Sequence, residues 1–276
     1  MLASILLALR EGLEAALIVG IVLGALRKMD RGDLAPAVWR GTISAIFVSL
    51  AAAIGLTALG LSLEGPAEPI FEGAAMLLAA AILTWMIFWM NRQSRYMKQG
   101  LETGVRRAAL STGKGALFGL AFLAVVREGI ELALFLTAAA FASGARGTIL
   151  GGLVGLAAAA FIGWSLFAST IRLDLKRFFQ VTGVLLLLFA AGLVGNGVHE
   201  FNEVGWIPAL VEHVWDLNPI LSESSGAGVA LKALVGYNGN PSLTEVMAYL
   251  AYVVGVLLAL RRTDRKAAAA AAQVPA

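Results

Sequence analysis

The sequence predicts an all-α, polytopic membrane protein: seven transmembrane helices, built as an inverted three-plus-three repeat followed by a seventh helix. Three observations carry that prediction. Seven apolar stretches have the length of a membrane crossing, the basic residues fall in alternate loops, and one charged motif occurs twice, three crossings apart. Composition sets the solvent in which these features are read. Of 276 residues, 59% are hydrophobic and 14% charged, with a mean hydropathy of +0.82, whereas about a quarter of the residues in soluble domains are charged. Apolar stretches of this length must be helices, because hydrocarbon offers the backbone no hydrogen-bond partner and the alternation of a barrel strand is missing.

The first span covers about residues 2–26 and lacks the basic leader and cleavage site of a signal peptide, so it is read as a retained helix. Its middle carries LREGLEA, residues 9–15. A loop with Arg27, Lys28, Arg31 and Arg40 leads to span two, about 41–61. Span three, about 70–90, opens with IFEGAAMLLAA, where Glu72 in the first turn suits the helix dipole, and closes with Trp85 and Trp89, read as interfacial anchors. The loop 91–114 adds Arg92, Arg95, Lys98, Arg106, Arg107 and Lys114.

Span four, about 115–141, contains VREGIEL at 126–132 and repeats the motif of span one. Span five covers about 148–171 and is followed by Arg172, Lys176 and Arg177. Span six, about 178–198, opens with FFQVTGVLLLL, which can be laid on the start of span three with Gln180 opposite Glu72. The stretch 199–242 holds His199, Glu200, Glu203, Glu212, His213 and Asp216, and its WIPALVEHVWDL segment is expected to form short helices lying at the interface. Span seven covers about 243–260, and Arg261, Arg262 and Arg265 precede KAAAAAAQVPA, an ending that opens on Lys266 and is read as a disordered tail.

This gives one transmembrane domain over 1–261: repeat one about 1–91, repeat two about 114–198, an outer segment 199–242 and helix seven, with a cytoplasmic tail at 262–276. One set of loops and the tail hold 17 of the 21 basic residues, while the alternate set holds only Arg146 and Lys232. By the positive-inside rule the amino terminus lies outside and the carboxyl terminus in the cytoplasm of a plasma or inner membrane. With an odd displacement of three crossings, spans one and four run in opposite directions, as in transporters whose site lies between inverted repeats.

The motif supplies the chemistry. On a helix, Glu11 and Glu14 share a face, as do Glu128 and Glu131, while Arg10 reaches Glu14 and Arg127 reaches Glu131 at i+4. Six charged groups at helix centres cost on the order of 15–20 kcal/mol before pairing. Two Arg–Glu pairs offset part of that and leave two carboxylates to be protonated, hydrated or bound to a cation. The plainer alternative is that the pairs only fasten helices. Gly12, Gly129 and the spacings Gly20/Gly24, Gly115/Gly119 and Gly151/Gly155 read as packing positions. With no cysteine, a bound metal must use oxygen or imidazole, which favours hard cations. No basic stripe with interleaved aromatics points to nucleic acid, despite the net charge of +3.

The doubled R-E-G-x-E, together with FEGAAML at 71–77, VHEFNEVGWIP at 198–208 and GYNGNPSLTEVMAYLAY at 236–252, resembles the oxidase-dependent iron transporters, the high-affinity iron permeases of fungi and their bacterial relatives. The resemblance covers nearly the whole chain. It implies a permease, not an enzyme, that imports iron as its substrate with no permanently bound cofactor. The iron it implies is ferric, supplied by an extracytoplasmic oxidase or iron-donor protein. Carried onto this sequence, the essential glutamates are Glu11, Glu14, Glu128 and Glu131, with Arg10 and Arg127 as basic neighbours. Glu72, His199, Glu200 and Glu203 form a second set, placed to admit the ion or merely to sit in water. Magnesium, manganese or protons suit the same carboxylates, so a proton-coupled carrier of another divalent metal and a non-transporting scaffold stay open as alternatives.

Overall fold

The computed structural model describes residues 1–93, 114–168, 174–223 and 225–272. Among them are eight α-helices, one short 3-10 turn and no strand: α1 (Leu2–Lys28), the turn Gly32–Leu34, α2 (Ala35–Ser62), α3 (Ala67–Gln93), α4 (Lys114–Ser143), α5 (Ala145–Ala168), α6 (Leu175–Glu203), α7 (Gly226–Val235) and α8 (Leu243–Ala272). The described residues are therefore all-helical, as fits a polytopic membrane protein. Five stretches are long and apolar enough to cross a membrane: Gly32–Gly60, Ala67–Trp89, Ala145–Leu166, Arg177–Glu203 and Leu243–Arg262. At 27 and 30 residues, α1 and α4 also exceed a bilayer's hydrocarbon thickness of about 30 Å. Their three central charges set them apart from the other five.

Several boundaries differ from the expected ones for local reasons. Pro36 in the first turn starts α2 six residues before the expected Gly41, because a ring-locked φ suits a helix start. Asp174 caps α6 by accepting from the Arg177 peptide N–H at 3.1 Å. The carboxyl-terminal ending, expected to be disordered, is helical through Ala272, as befits a run of alanine, the strongest helix former. The expected interfacial helices in WIPALVEHVWDL are absent. Pro208 interrupts that segment, Leu210 takes a φ of 60°, and peptide groups bond across the loop: Val214 to Pro241 at 3.0 Å, Leu217 to Gly239 at 2.8 Å and Leu243 back to Val211 at 3.0 Å. The helix of the outer segment is instead α7, capped by Ser225 and closed by Gly236 at φ 68°, whose backbone rests on Gly192 of α6. The expected basic residues Arg95, Lys98, Arg106, Arg107 and Arg172, and the end of span five at Ile171, lie outside the described residues.

Helix packing places the motifs. Helix α5 lies parallel to α1, with Gly151 against the Met1 carbonyl, Ser4 Cβ and Ile5 nitrogen, Gly155 against Ala8, and Gly163 against Ala16. Helix α4 lies parallel to α2 in the same manner, with Gly41 against the Phe118 carbonyl, Ala121 Cβ and Phe122 nitrogen. Gly12 meets Ala159 of α5, and Gly129 meets Ser49 of α2. Gly24, Gly115 and Gly119, expected to pack, face open space instead. Helices α1 and α4 pack antiparallel, and α3 and α6 cross through Gly73 and Gly197.

Two apolar cores result. One gathers Ala3, Leu7 and Ala8 with Phe135, Ala138 and Ala139 of α4 and the facing sides of α3 and α6. The other joins Val19, Val22 and Leu26 with Leu117, Ala121 and Val125. The charged motifs occupy the layer between them. Exposed apolar rows such as Ile43, Ile46, Phe47, Leu50 and Ile54 on α2, and Ile149, Leu153, Phe161 and Trp164 on α5, face outward as a hydrocarbon solvent requires.

The Gly129–Ser49 approach leaves no space for a larger side chain. Gly129→Val is expected to destabilise the folded chain by about 1–3 kcal/mol through overpacking, read as a lower melting temperature in detergent, with Ser49→Gly restoring part of the loss. A Gly129→Val protein that melts like the native one would contradict this packing.

Candidate metal centre

The centre is built where α1 crosses α4. Within each helix the period makes the expected pair: Arg10 Nε lies 3.4 Å from Glu14 Oε1, and Arg127 Nε donates to Glu131 Oε1 at 2.9 Å. Tertiary packing then adds contacts that no single helix contains. Glu11, Glu128 and Glu131 each bring a carboxylate oxygen to within 4.8 Å of the others. Glu14 does not join them, since it faces Arg10 and senses Glu131 and Arg127 across the crossing.

Burial makes this convergence demanding. Glu11 is 1% exposed and Glu128 6% exposed. Both oxygens of Glu11, and the Oε2 atoms of Glu128 and Glu131, are buried without a hydrogen-bond donor among the described residues. Carboxylates that close repel one another, and among the described residues only Glu131 has a cationic donor, Arg127, on one of its oxygens, so the rest lack the partner that burial of a polar group requires. A hard cation held by oxygens about 2.0–2.6 Å away accepts donors up to about 5 Å apart across its shell, which the triplet spans with little movement. Oxygen-only donors without sulfur or imidazole select against soft metals.

The two motifs are alike in sequence and unlike in surroundings. Arg10 is 1% exposed, whereas the Arg127 side chain is 43% exposed. Its guanidinium lies 5.3 Å from the centroid of the Trp89 ring, which stacks on Trp85 at 6.4 Å. Trp85 is exposed. Trp89, read like Trp85 as an interfacial anchor, also covers the second motif. Its spacing from Trp85 shows a shared stripe but carries no sign of what that stripe faces.

The outer set divides. His199 is engaged by Glu245, with Nδ1 3.0 Å from Oε1, and by Glu203 at 3.4 Å. Glu245 also accepts from Asn238 Nδ2 at 2.8 Å and the Ser242 peptide N–H at 3.2 Å. The Ser242 hydroxyl in turn accepts from the Glu245 peptide at 3.3 Å, a reciprocal cap at the start of α8. Glu245 escaped the sequence reading although S-x-x-E at 242–245 is a capping signature. His199 therefore serves a structural network. Glu72 and Glu200 remain near each other across the α3–α6 crossing, where Glu200 senses the charges of Glu72, Glu203 and Glu68. Glu212, His213 and Asp216 are exposed and join neither group.

Comparison with known proteins adds independent findings. The Iron permease FTR1 family matches over residues 1–262. The chain is 34% identical over 274 residues to "Ferrous iron permease EfeU" of Yersinia pestis, covering 98% of this chain and 97% of that protein. It is 35% identical over 277 residues to the protein of the same name from Escherichia coli O6:K15:H31 (strain 536 / UPEC), covering 99% and 100%, and 35% identical over 273 residues to that of Shigella sonnei (strain Ss046), covering 98% and 99%. No solved structure matches the chain.

The unequal burial of the arginines is measurable. Arg10→Gln strands Glu14 beside a buried cluster and is expected to cost about 3–5 kcal/mol, seen as poor recovery of monodisperse protein. Arg127→Gln, at the open side of the cluster, is expected to yield folded protein with a much smaller drop in melting temperature. Equal losses from the two substitutions would refute the distinction.

Proposed function

The chain belongs to the Iron permease FTR1 family, and on that premise we propose that it carries iron across an inner or plasma membrane through the carboxylates at the α1–α4 crossing. It is a transporter, not an enzyme, and iron is its substrate. The observation that supports the site most directly is the convergence of Glu11, Glu128 and Glu131, with both Glu11 oxygens and one oxygen each of Glu128 and Glu131 buried without a donor among the described residues. Glu14 completes the set as the carboxylate that holds Arg10 in place.

Charge balance favours the ferrous ion over the ferric ion expected from the resemblance. Four carboxylates against two guanidinium groups leave a surplus of two negative charges, which a divalent cation neutralises. The relatives' names, each a ferrous iron permease, agree. Ferrous iron enters without an oxidation step, so this balance does not call for the oxidase partner.

We further propose seven crossings in two inverted halves, with the amino terminus outside, the carboxyl terminus in the cytoplasm and the domain limits as expected above. The helix contacts support the repeat. Met1, Ser4 and Ile5 stand to Arg10 as Phe118, Ala121 and Phe122 stand to Arg127, and the first three meet Gly151 as the second three meet Gly41. A rotation that exchanges α1 with α4 and α2 with α5 reproduces each contact.

Two measurements test the proposal. In proteoliposomes, Glu11→Gln, Glu128→Gln and Glu131→Gln are each expected to reduce ferrous uptake at least about 100-fold while the protein stays monodisperse, since each removes one charge from a site that needs several. Folded glutamine variants that transport at the native rate would overturn the centre, and uptake of manganous ion in preference to ferrous would favour the carrier of another divalent metal. For topology, an inside-active reporter is expected to work at the carboxyl terminus and fail near Asp216, and the reverse pattern would reject the orientation.

A further inference from the structure

The twin motifs carry one arginine each, and the structure gives those arginines different work. Arg10 is enclosed, and its partner Glu14 lies outside the triplet of converging carboxylates. A cation that settles on the triplet leaves that pair intact. Arg127 is placed otherwise, because its partner Glu131 is itself a member of the triplet. A guanidinium 2.9 Å from Glu131 Oε1 and a metal ion on the same carboxylate are like charges in a water-poor layer, and they oppose each other strongly. Occupation of Glu131 by the cation therefore works against the Arg127 pair.

A displaced guanidinium needs a destination, since a charge moved into hydrocarbon without a partner is costly. The Trp89 ring supplies one. Its face already lies 5.3 Å from the guanidinium carbon, it is backed by the stacked Trp85 ring, and the 43% exposure of Arg127 leaves the side chain room to turn about its long stem. An indole face attracts a cation most when that cation has lost its other partners.

Resting on the metal-centre reading above, we propose that Arg127 is a displaceable counter-charge, occupying Glu131 in the absence of the transported cation and withdrawing onto Trp89 when the cation binds. Trp89 is then a positioning residue for transport. Return of the guanidinium to Glu131 assists release of the ion, so Arg127 weakens binding and speeds turnover together. Arg10 takes no part in this exchange and serves as a fixed neutraliser of Glu14.

The test is ferrous uptake by proteoliposomes holding the full chain, with KM and maximal rate measured separately. Arg127→Gln removes the competitor, and both KM and maximal rate are expected to fall by about 5- to 30-fold, a joint decrease that loss of a merely structural residue does not produce. Trp89→Leu deprives the withdrawn guanidinium of its cradle and is expected to raise KM by about 3- to 30-fold, with Trp89→Phe recovering most of the native value. In the Arg127→Gln background, Trp89→Leu should have no further effect. An unchanged or raised KM in folded Arg127→Gln protein, or equal KM values for Trp89→Leu and the native chain, overturns the proposal. If Arg127→Gln fails to fold, the comparison of Trp89→Leu with Trp89→Phe decides alone. Glu128→Gln serves as the separate control: if it transports like the native protein, the metal centre itself is wrong, whatever the Arg127 and Trp89 variants do.

Discussion

Six charged side chains gathered in one layer, five of them buried or nearly so and Arg127 at its open margin, constrain everything else in this protein. The layer lies between two apolar cores, and neither core can close unless the charges answer one another across the α1–α4 crossing. Insertion of such groups costs more than any single contact returns, so the surrounding architecture must hold them in register. Gly12 and Gly129 show how this is done. Each sits inside a motif, on the side away from the carboxylates, and lets a further helix approach with almost no gap, α5 at Ala159 and α2 at Ser49. The glutamates gather the charge and the glycines secure the helices that carry them.

Duplication of R-E-G-x-E does not make the two motifs equivalent. Contacts between α1 and α5 repeat in those between α4 and α2 down to individual backbone atoms, yet Arg10 is enclosed and Arg127 lies against an indole ring at the margin of the cluster. A symmetric centre would hold its cation with two equal counter-charges. An asymmetric one can keep one arginine fixed and let the other yield, which suits a site that must both bind an ion and release it.

Outside the charged layer, polar groups are used to shape the chain. The His199–Glu245 pair, the reciprocal cap of Ser242 and the Asn238 amide tie the start of α8 to the end of α6. Deeper along the same helix, Tyr252 meets Thr84 of α3 at 2.6 Å. These bonds fasten α8 to α3 and to the end of α6, and they account for a histidine that composition alone leaves open as a ligand.

The sequence by itself determined what depends on composition and on the helical period. A hydrocarbon solvent admits only helices, so the apolar stretches marked out long helices, and the i, i+4 spacing determined the Arg10–Glu14 and Arg127–Glu131 pairs. Repetition of R-E-G-x-E marked α1 and α4 as the two helices whose carboxylates converge. Tertiary structure alone decided that Glu11 meets Glu128 and Glu131 while Glu14 stays with Arg10, that the Trp89 ring covers Arg127, and that 206–217 folds as an irregular loop bonded to 239–243. The physical reason is that pairs within one helix follow from its fixed rise and rotation. Pairs between helices depend on how each turns about its axis, and that angle is set jointly by glycines, aromatic rings and peptide groups far apart in the chain.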